Sequence, residues 1–407
     1  MKHFRPRLSR RAFWVLCALL VCLRLALTGF QQAYIWVGGA PLDDELMFRA
    51  ANHITAGQWL GAYDYLTLSK AMFFPVWLAL LHALHLPYLI SGAALWCGAA
   101  LLAAFAFSTL WRKKDPAQGR MLTLSLFAAL AFLPSSWAAY TLRVYRDNIF
   151  PALCLYFFAG MAGMALCAVF TPEKPLWPWL AAAGAGLACG YLDREDAGLF
   201  LLPFAAAATV IVAVVLAGKR RWKALAAQVI PYVMLGVGVL TFCTLNYAHY
   251  GVFALSDFSE GSFAAAMGAM MRVDTDSDAP YLSVPADARA KIYDAVPELE
   301  PLAYWLEEDA QLQNDFRDPD LDDYRAGSFY WAIRRAAQFE GIYADAKTAD
   351  AYWQTVADKI NAACDAGTLP SRTGRRVATS QPISAAYVPS TLAETWKGFW
   401  HVLGLRD

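Results

Sequence analysis

Charge is scarce in this sequence. Only 17% of its 407 residues are Asp, Glu, Lys or Arg, while 58% are hydrophobic. An ordinary soluble domain carries about a quarter charged residues, so this composition excludes a chain that meets water throughout. There is no GxxxxGK[ST], and no GxGxxG follows a strand. The phosphate-cradling loops of nucleotide-driven enzymes are therefore missing. Of the six histidines only His82 and His85 stand three apart, the rest are scattered, and no CxxC pair occurs, which argues against a zinc site. Seven of the eight cysteines lie in apolar runs, leaving only Cys364 in the polar part of the chain. That part cannot close an internal disulfide, which suits a bacterial surface better than a secretory lumen.

The charge that is present is unevenly spread. Residues 1–248 hold 20 Lys and Arg against 10 Asp and Glu, and residues 249–407 hold 14 against 24. The chain thus divides into a basic apolar half and an acidic polar half. The acidic half argues against nucleic acid as a partner.

Five Lys or Arg precede the apolar run Ala12–Phe30, which is long enough to span a bilayer. Basic residues stay on the cytoplasmic side, so Gln31 onward is expected outside. Further spans are expected at about 88–111, 121–138, 149–170, 176–191, 197–217 and 224–248, giving seven. Ala71–Leu86 is apolar but short, and is expected to lie flat on the outer surface. That choice leaves Arg112-Lys113-Lys114 inside and the acidic clusters outside. The N-terminus is then cytoplasmic, and residues 249–407 form an extracellular domain of a plasma-membrane protein.

The loop 31–70 holds Asp43-Asp44-Glu45, three adjacent carboxylates beside a membrane surface. One of Asp43 and Asp44, with Asp44 the favoured one, could serve as a general base, with the other orienting a residue or binding a metal. The competing reading is helix capping before Leu46-Met47-Phe48. Glu45 reads as first-turn charge complementing a helix dipole. Lys70, Arg146 and Arg194 fall at outer ends of spans or in outer loops, where they could meet a phosphate or simply snorkel to the interface. Asp193-Arg194-Glu195-Asp196 is a second concentration of charge, and Arg146-Asp147 a third. Asp147, Glu195 and Asp196 are secondary candidates. Tyr63 and Asp64 could line a sugar pocket, while Trp59 reads as an interfacial anchor. Arg24 lies inside the first span, where a charge is functional, paired or snorkelling.

The polar half reads as helical, with an apolar period over Gly327–Gly341 and a helix over Ala346–Ala366 ending at Gly367. Asp315–Asp323 holds five Asp but lacks DxDxDG spacing, so a solvated loop is expected there. Thr391–Leu405 is again aromatic and apolar. It either docks on the membrane or leads into further spans of a longer chain.

The order of these features resembles the GT-C glycosyltransferases: a basic N-terminus, one span, an outer loop with an acidic pair, then a lysine and an apolar surface helix. The likeness is to family 39, with its protein mannosyltransferases and aminoarabinose transferases. The KPPL stretch of those enzymes is only loosely matched by Ser69-Lys70-Ala71-Met72-Phe73-Phe74-Pro75. The stretches DDELMFRAANHITAGQWLGAYDYLTLSK, YRDNIFPALCL, DREDAGLFLLPF and DKINAACDAGTL are similar to a group of GT-C-like membrane proteins of Firmicutes. The resemblance implies an all-α polytopic membrane fold. It also implies transfer of a sugar from a polyprenyl-phosphate donor to a cell-envelope acceptor on the outer face, with inversion. Asp43 and Asp44 would then be catalytic, and Lys70, Arg146 and Arg194 would hold the donor phosphate. A divalent cation, Mg or Mn, would sit on Asp44 and Asp147 if one is used. The rival classes are a non-catalytic protein of envelope assembly and a transporter or flippase.

Overall fold

A computed structural model describes residues 8–36, 41–111, 115–277, 281–372 and 385–404. Helices dominate, and among the described residues only isolated bridges and no strand form. Among the described residues five helices are long and apolar enough to cross a membrane: Arg10–Thr28, Tyr88–Ser108, Phe150–Phe170, Ala197–Gly218, and Ile230–Tyr250 with the preceding turn Trp222–Ala227. All eight cysteines are free.

The other two expected spans are shorter. Pro116–Ala131 starts on an Asp115 cap, whose carboxylate accepts from the Ala117 and Gln118 N–H groups. It stops well before residue 138. Pro134 has no N–H and disfavours helix at the residue before it, so the chain turns into Pro134–Trp137 and the four-residue helix Ala139–Leu142. Trp177–Asp193 has 17 residues. The expected surface helix is Phe73–Leu84, closed by His85 in the left-handed region at φ 57°. Arg112-Lys113-Lys114 lie outside the described residues.

The chain forms two compact units. The first comprises 1–60, 71–241 and 399–407; the second comprises 61–70 and 242–398. The boundary falls inside the Ile230–Tyr250 helix, and ten residues of the first loop belong to the second unit.

In the first unit, Phe150–Phe170 packs on Trp177–Asp193 through glycines. A Cβ on Gly160 would stand 2.5 Å from the Ala183 nitrogen, and one on Gly186 would stand 2.4 Å from the Phe157 nitrogen. Only bare backbone allows that approach. Phe157, Leu180, Leu187 and Leu201 fill the adjoining core.

The second unit is helical, as its periodicity predicts. Ala326–Phe339 and Ala346–Asp365 bury Phe329, Ile333, Trp353, Val356 and Ile360 around one core. Gly367 takes φ 74° just past the second of these helices, the backbone state that glycine reaches without a Cβ penalty. Its ten grafted residues are held by side-chain bonds. Tyr63 Oη donates to Asp257 at 2.5 Å, Arg334 Nε to the Tyr65 carbonyl at 2.8 Å, and Tyr250 Oη to the Gly61 carbonyl at 3.0 Å. The acidic run is structural rather than fully solvated. Asp323 is buried and accepts from Arg289, while Asp318 pairs with Arg325.

Candidate functional site

Three short segments build a charged site in the first unit. After Arg10–Thr28 the chain runs beside 142–144: the Tyr34 N–H donates to the Leu142 carbonyl at 3.2 Å, and the Val144 N–H to the Tyr34 carbonyl at 2.8 Å. This bridge holds Arg143 next to the acidic turn. Pro41–Glu45 forms a wide π-helical turn that continues into Leu46–Thr55. Asp43 and Asp44 therefore lie within the turn. Glu45 occupies the N-cap position and makes no side-chain cap bond. Capping does not explain the acidic pair.

The two aspartates have different settings. The Asp44 carboxylate is fully buried. It accepts from Arg143 through Nη2 on one oxygen and through Nε on the other, the latter at 3.0 Å. The Trp36 N–H adds a third bond at 2.8 Å. Asp43 has a side chain 37% exposed and lies 3.8 Å from Arg143 Nη2. Tyr145 Oη donates to its Oδ1 at 3.0 Å. Burial, partly offset by Arg146, pushes the Tyr145 phenol above its ordinary range, so that hydroxyl keeps its proton and stays a donor. The Asp44 hydrogen bond likewise secures the Arg143 charge.

Arg146 continues the chain of contacts. Its Nη2 donates to Tyr145 Oη at 2.8 Å, and its Nη1 to Glu195 Oε2 at 2.8 Å and to the Asp193 carbonyl at 3.1 Å. Burial works against its charge, but Glu195 and Tyr145 outweigh that and raise its pKa. Beside this pair, Arg194 Nη1 donates to Asp147 at 2.9 Å and Nε to Asp196 at 3.1 Å. The dipeptides 146–147 and 194–195, each an arginine followed by an acid, thus pair reciprocally. Glu195 also accepts from the Ala71 N–H at 2.6 Å. Asp193 is fully buried, and neither carboxylate oxygen has a hydrogen-bond partner.

Of the residues expected from sequence, Asp43, Asp44, Arg146, Asp147, Arg194, Glu195 and Asp196 fall into this network. Lys70, Tyr63 and Asp64 belong to the second unit. Lys70 Nζ stands 5.6 Å from the Trp331 ring centre. Asp64 builds its own turn, its Oδ1 accepting from the Leu66 and Thr67 N–H groups at 2.9 Å each. Tyr63 is committed to Asp257, which also pairs with the buried Arg334 at 3.0 Å. Trp59 is buried rather than anchored at an interface.

Arg143 and Tyr145 were not expected in the site. The signal that could have found them is electrostatic. A carboxylate beside an apolar helix needs a cation, and Arg143, three residues before Arg146, was a cation left without an assigned role.

The cation expected on Asp44 and Asp147 does not fit. Both Asp44 oxygens are bonded to Arg143, and Asp147 is paired with Arg194. Among the described residues no three His, Cys, Asp or Glu converge to hold a metal. Comparison with protein-family models, curated proteins and solved structures gave no match to this chain.

Proposed function

We propose that this chain is a membrane-embedded glycosyltransferase of GT-C-like organisation. It moves a sugar from a polyprenyl-phosphate donor to a hydroxyl of a cell-envelope acceptor on the outer face of the plasma membrane. The N-terminus is cytoplasmic and residues 249–407 are extracellular, with the two shorter apolar helices completing seven crossings.

The observation that carries this reading is the inequality of the acidic pair. Asp44 is locked by Arg143, while its neighbour Asp43 is part-exposed and oriented by Tyr145. A carboxylate held by a donor in reach of water is what a general base requires. In the reaction the acceptor oxygen attacks the anomeric carbon from the face opposite the phosphate. The carbon–oxygen bond to phosphate breaks, and the phosphate leaves with the electron pair. Asp43 takes the acceptor proton, and the anomeric configuration inverts. Asp44 positions the turn and touches no reacting atom. Arg146 or Arg194 meets the departing phosphate by exchanging a carboxylate for it. Lys70 is assigned no step.

The test uses purified full-length protein in detergent with a panel of polyprenyl-phosphate sugars and a cell-wall extract, following loss of lipid-linked sugar. Turnover by the wild type that folded Asp43→Asn abolishes supports the assignment. Equal turnover by both proteins removes Asp43 from the chemistry. The reciprocal pairing of 146–147 with 194–195 favours a second reading, a non-catalytic protein of envelope assembly, because both arginines already have carboxylate partners. That reading expects no turnover across the panel.

A further inference from the structure

Arg24 lies in the membrane-spanning helix Arg10–Thr28, only 3% exposed. Its guanidinium carbon lies 3.3 Å from the centre of the Trp137 ring, and Nη2 donates to the Ser136 carbonyl at 2.7 Å. Nε and Nη1 are buried and have no hydrogen-bond partner. Among the described residues no carboxylate stands within ion-pair distance of it. A buried cation without an anion is costly enough that such groups are found paired.

The side chain borders a recess lined by Thr28, Gln31, Ser135, Tyr140 and Asn148 as well. None of its lining residues is acidic. The recess leaves about 50 Å³ for the centres of water-sized spheres, several times what one water needs. Asn148 adds an opposite demand. Its Nδ2 donates to the Thr141 carbonyl at 2.7 Å, while its Oδ1 is buried without a donor. Two side chains that line one recess thus carry unmatched donors on a cation and one unmatched acceptor.

We propose that this recess binds a phosphate group that also carries a hydroxyl. The anionic oxygens accept from Arg24 Nε and Nη1, and the hydroxyl donates to Asn148 Oδ1. Two sources share this chemistry: a bilayer lipid with a hydroxylated phosphodiester headgroup, and free hydrogen phosphate. The site is separate from the Asp43 network and does not depend on sugar transfer, so it holds for a non-catalytic protein as well.

The experiment is thermal unfolding of the full-length protein in a zwitterionic detergent. Inorganic phosphate is titrated against chloride at constant ionic strength, with sulfate, which has no hydroxyl, in parallel. Phosphatidylglycerol is compared with phosphatidylcholine in mixed micelles. The expected result is a saturable rise in melting temperature with phosphate or phosphatidylglycerol, and a smaller one with sulfate. Stabilisation by the lipid alone assigns a headgroup; stabilisation by both shows that free phosphate also enters. Arg24→Gln should weaken the effect by about tenfold or more, as loss of charge-assisted bonds does, with Arg24→Lys in between. Lys359→Gln, in the second unit, should keep it. If Arg24→Gln does not fold, Arg24→Lys and Asn148→Leu decide, each with a weakened response expected. No saturable stabilisation of the wild type, or an unchanged response in the folded Arg24 variants, overturns the proposal. So does a response lost only in Lys359→Gln. Because the readout is binding, its failure is distinguishable from failure of the transferase assay.

Discussion

Arg143 grips Asp44 with two nitrogens, one on each carboxylate oxygen, and the carboxylate is wholly out of water. Breaking such a pair from one side leaves a buried charge alone and costs about 3–5 kcal/mol. Asp44→Ala and Arg143→Met should each lower the melting temperature sharply in detergent. The double variant should recover part of the loss, by about 0.5–3 kcal/mol against the sum. Strict additivity in a double-mutant cycle would mean that the pair contributes nothing.

Gly160 and Gly186 set the approach of Phe150–Phe170 to Trp177–Asp193. Gly160→Ala should destabilise by about 1–3 kcal/mol, since the added carbon meets backbone that cannot swing aside. A Cβ on Gly218, at the end of Ala197–Gly218, would meet nothing within 4 Å. Gly218→Ala should therefore be neutral or stabilising. Equal melting temperatures for the two variants would contradict the packing argument.

In the second unit Arg289 is 2% exposed and joins two carboxylates. Nε and Nη2 donate to Glu307 at 2.6 and 2.9 Å, and Nη1 donates to Asp323 at 2.7 Å. Arg289→Met should cost about 3–5 kcal/mol by stranding Asp323. Limited proteolysis of the full chain would show faster cleavage within 281–325. Unchanged cleavage would mean that the acidic run holds its shape unaided.

Asp345 caps Ala346–Asp365, accepting from the Thr348 hydroxyl and from the Lys347 and Thr348 N–H groups. The Thr348 bonds hold its carboxyl below the usual range. The unfolded chain therefore binds the proton more tightly. The stabilisation is complete above the unfolded value of about 3.9 and is lost as pH falls through the folded one. Asp345→Asn, which still caps, should flatten the acid limb of melting temperature against pH. Identical acid limbs would exclude the linkage.

The long apolar helices and the helical period of 327–366 were legible because they are local. A run of Leu, Ala and Phe, or a stop at Gly367, needs no knowledge of the rest of the chain. The early end at Ala131 was legible too, in Pro134, but the apolar count masked it. The acidic pair announced a site without announcing its partner. Arg143 reads as one more loop charge until the bridge at Tyr34 brings it home. Least legible was the affiliation of 61–70, since Tyr63 and Asp257 stand 194 residues apart.

That separation has a consequence in time. Chains are synthesised at about 5–20 residues per second, so Tyr63 emerges roughly 10–40 s before its acceptor exists. Through that interval the decapeptide is a docking element without a dock, bearing Tyr63, Tyr65 and Leu68 unburied. A mature second unit can form only after translation has passed Asp257 and Arg334. A fragment cut to begin at residue 242 would be born lacking one piece of its own interior.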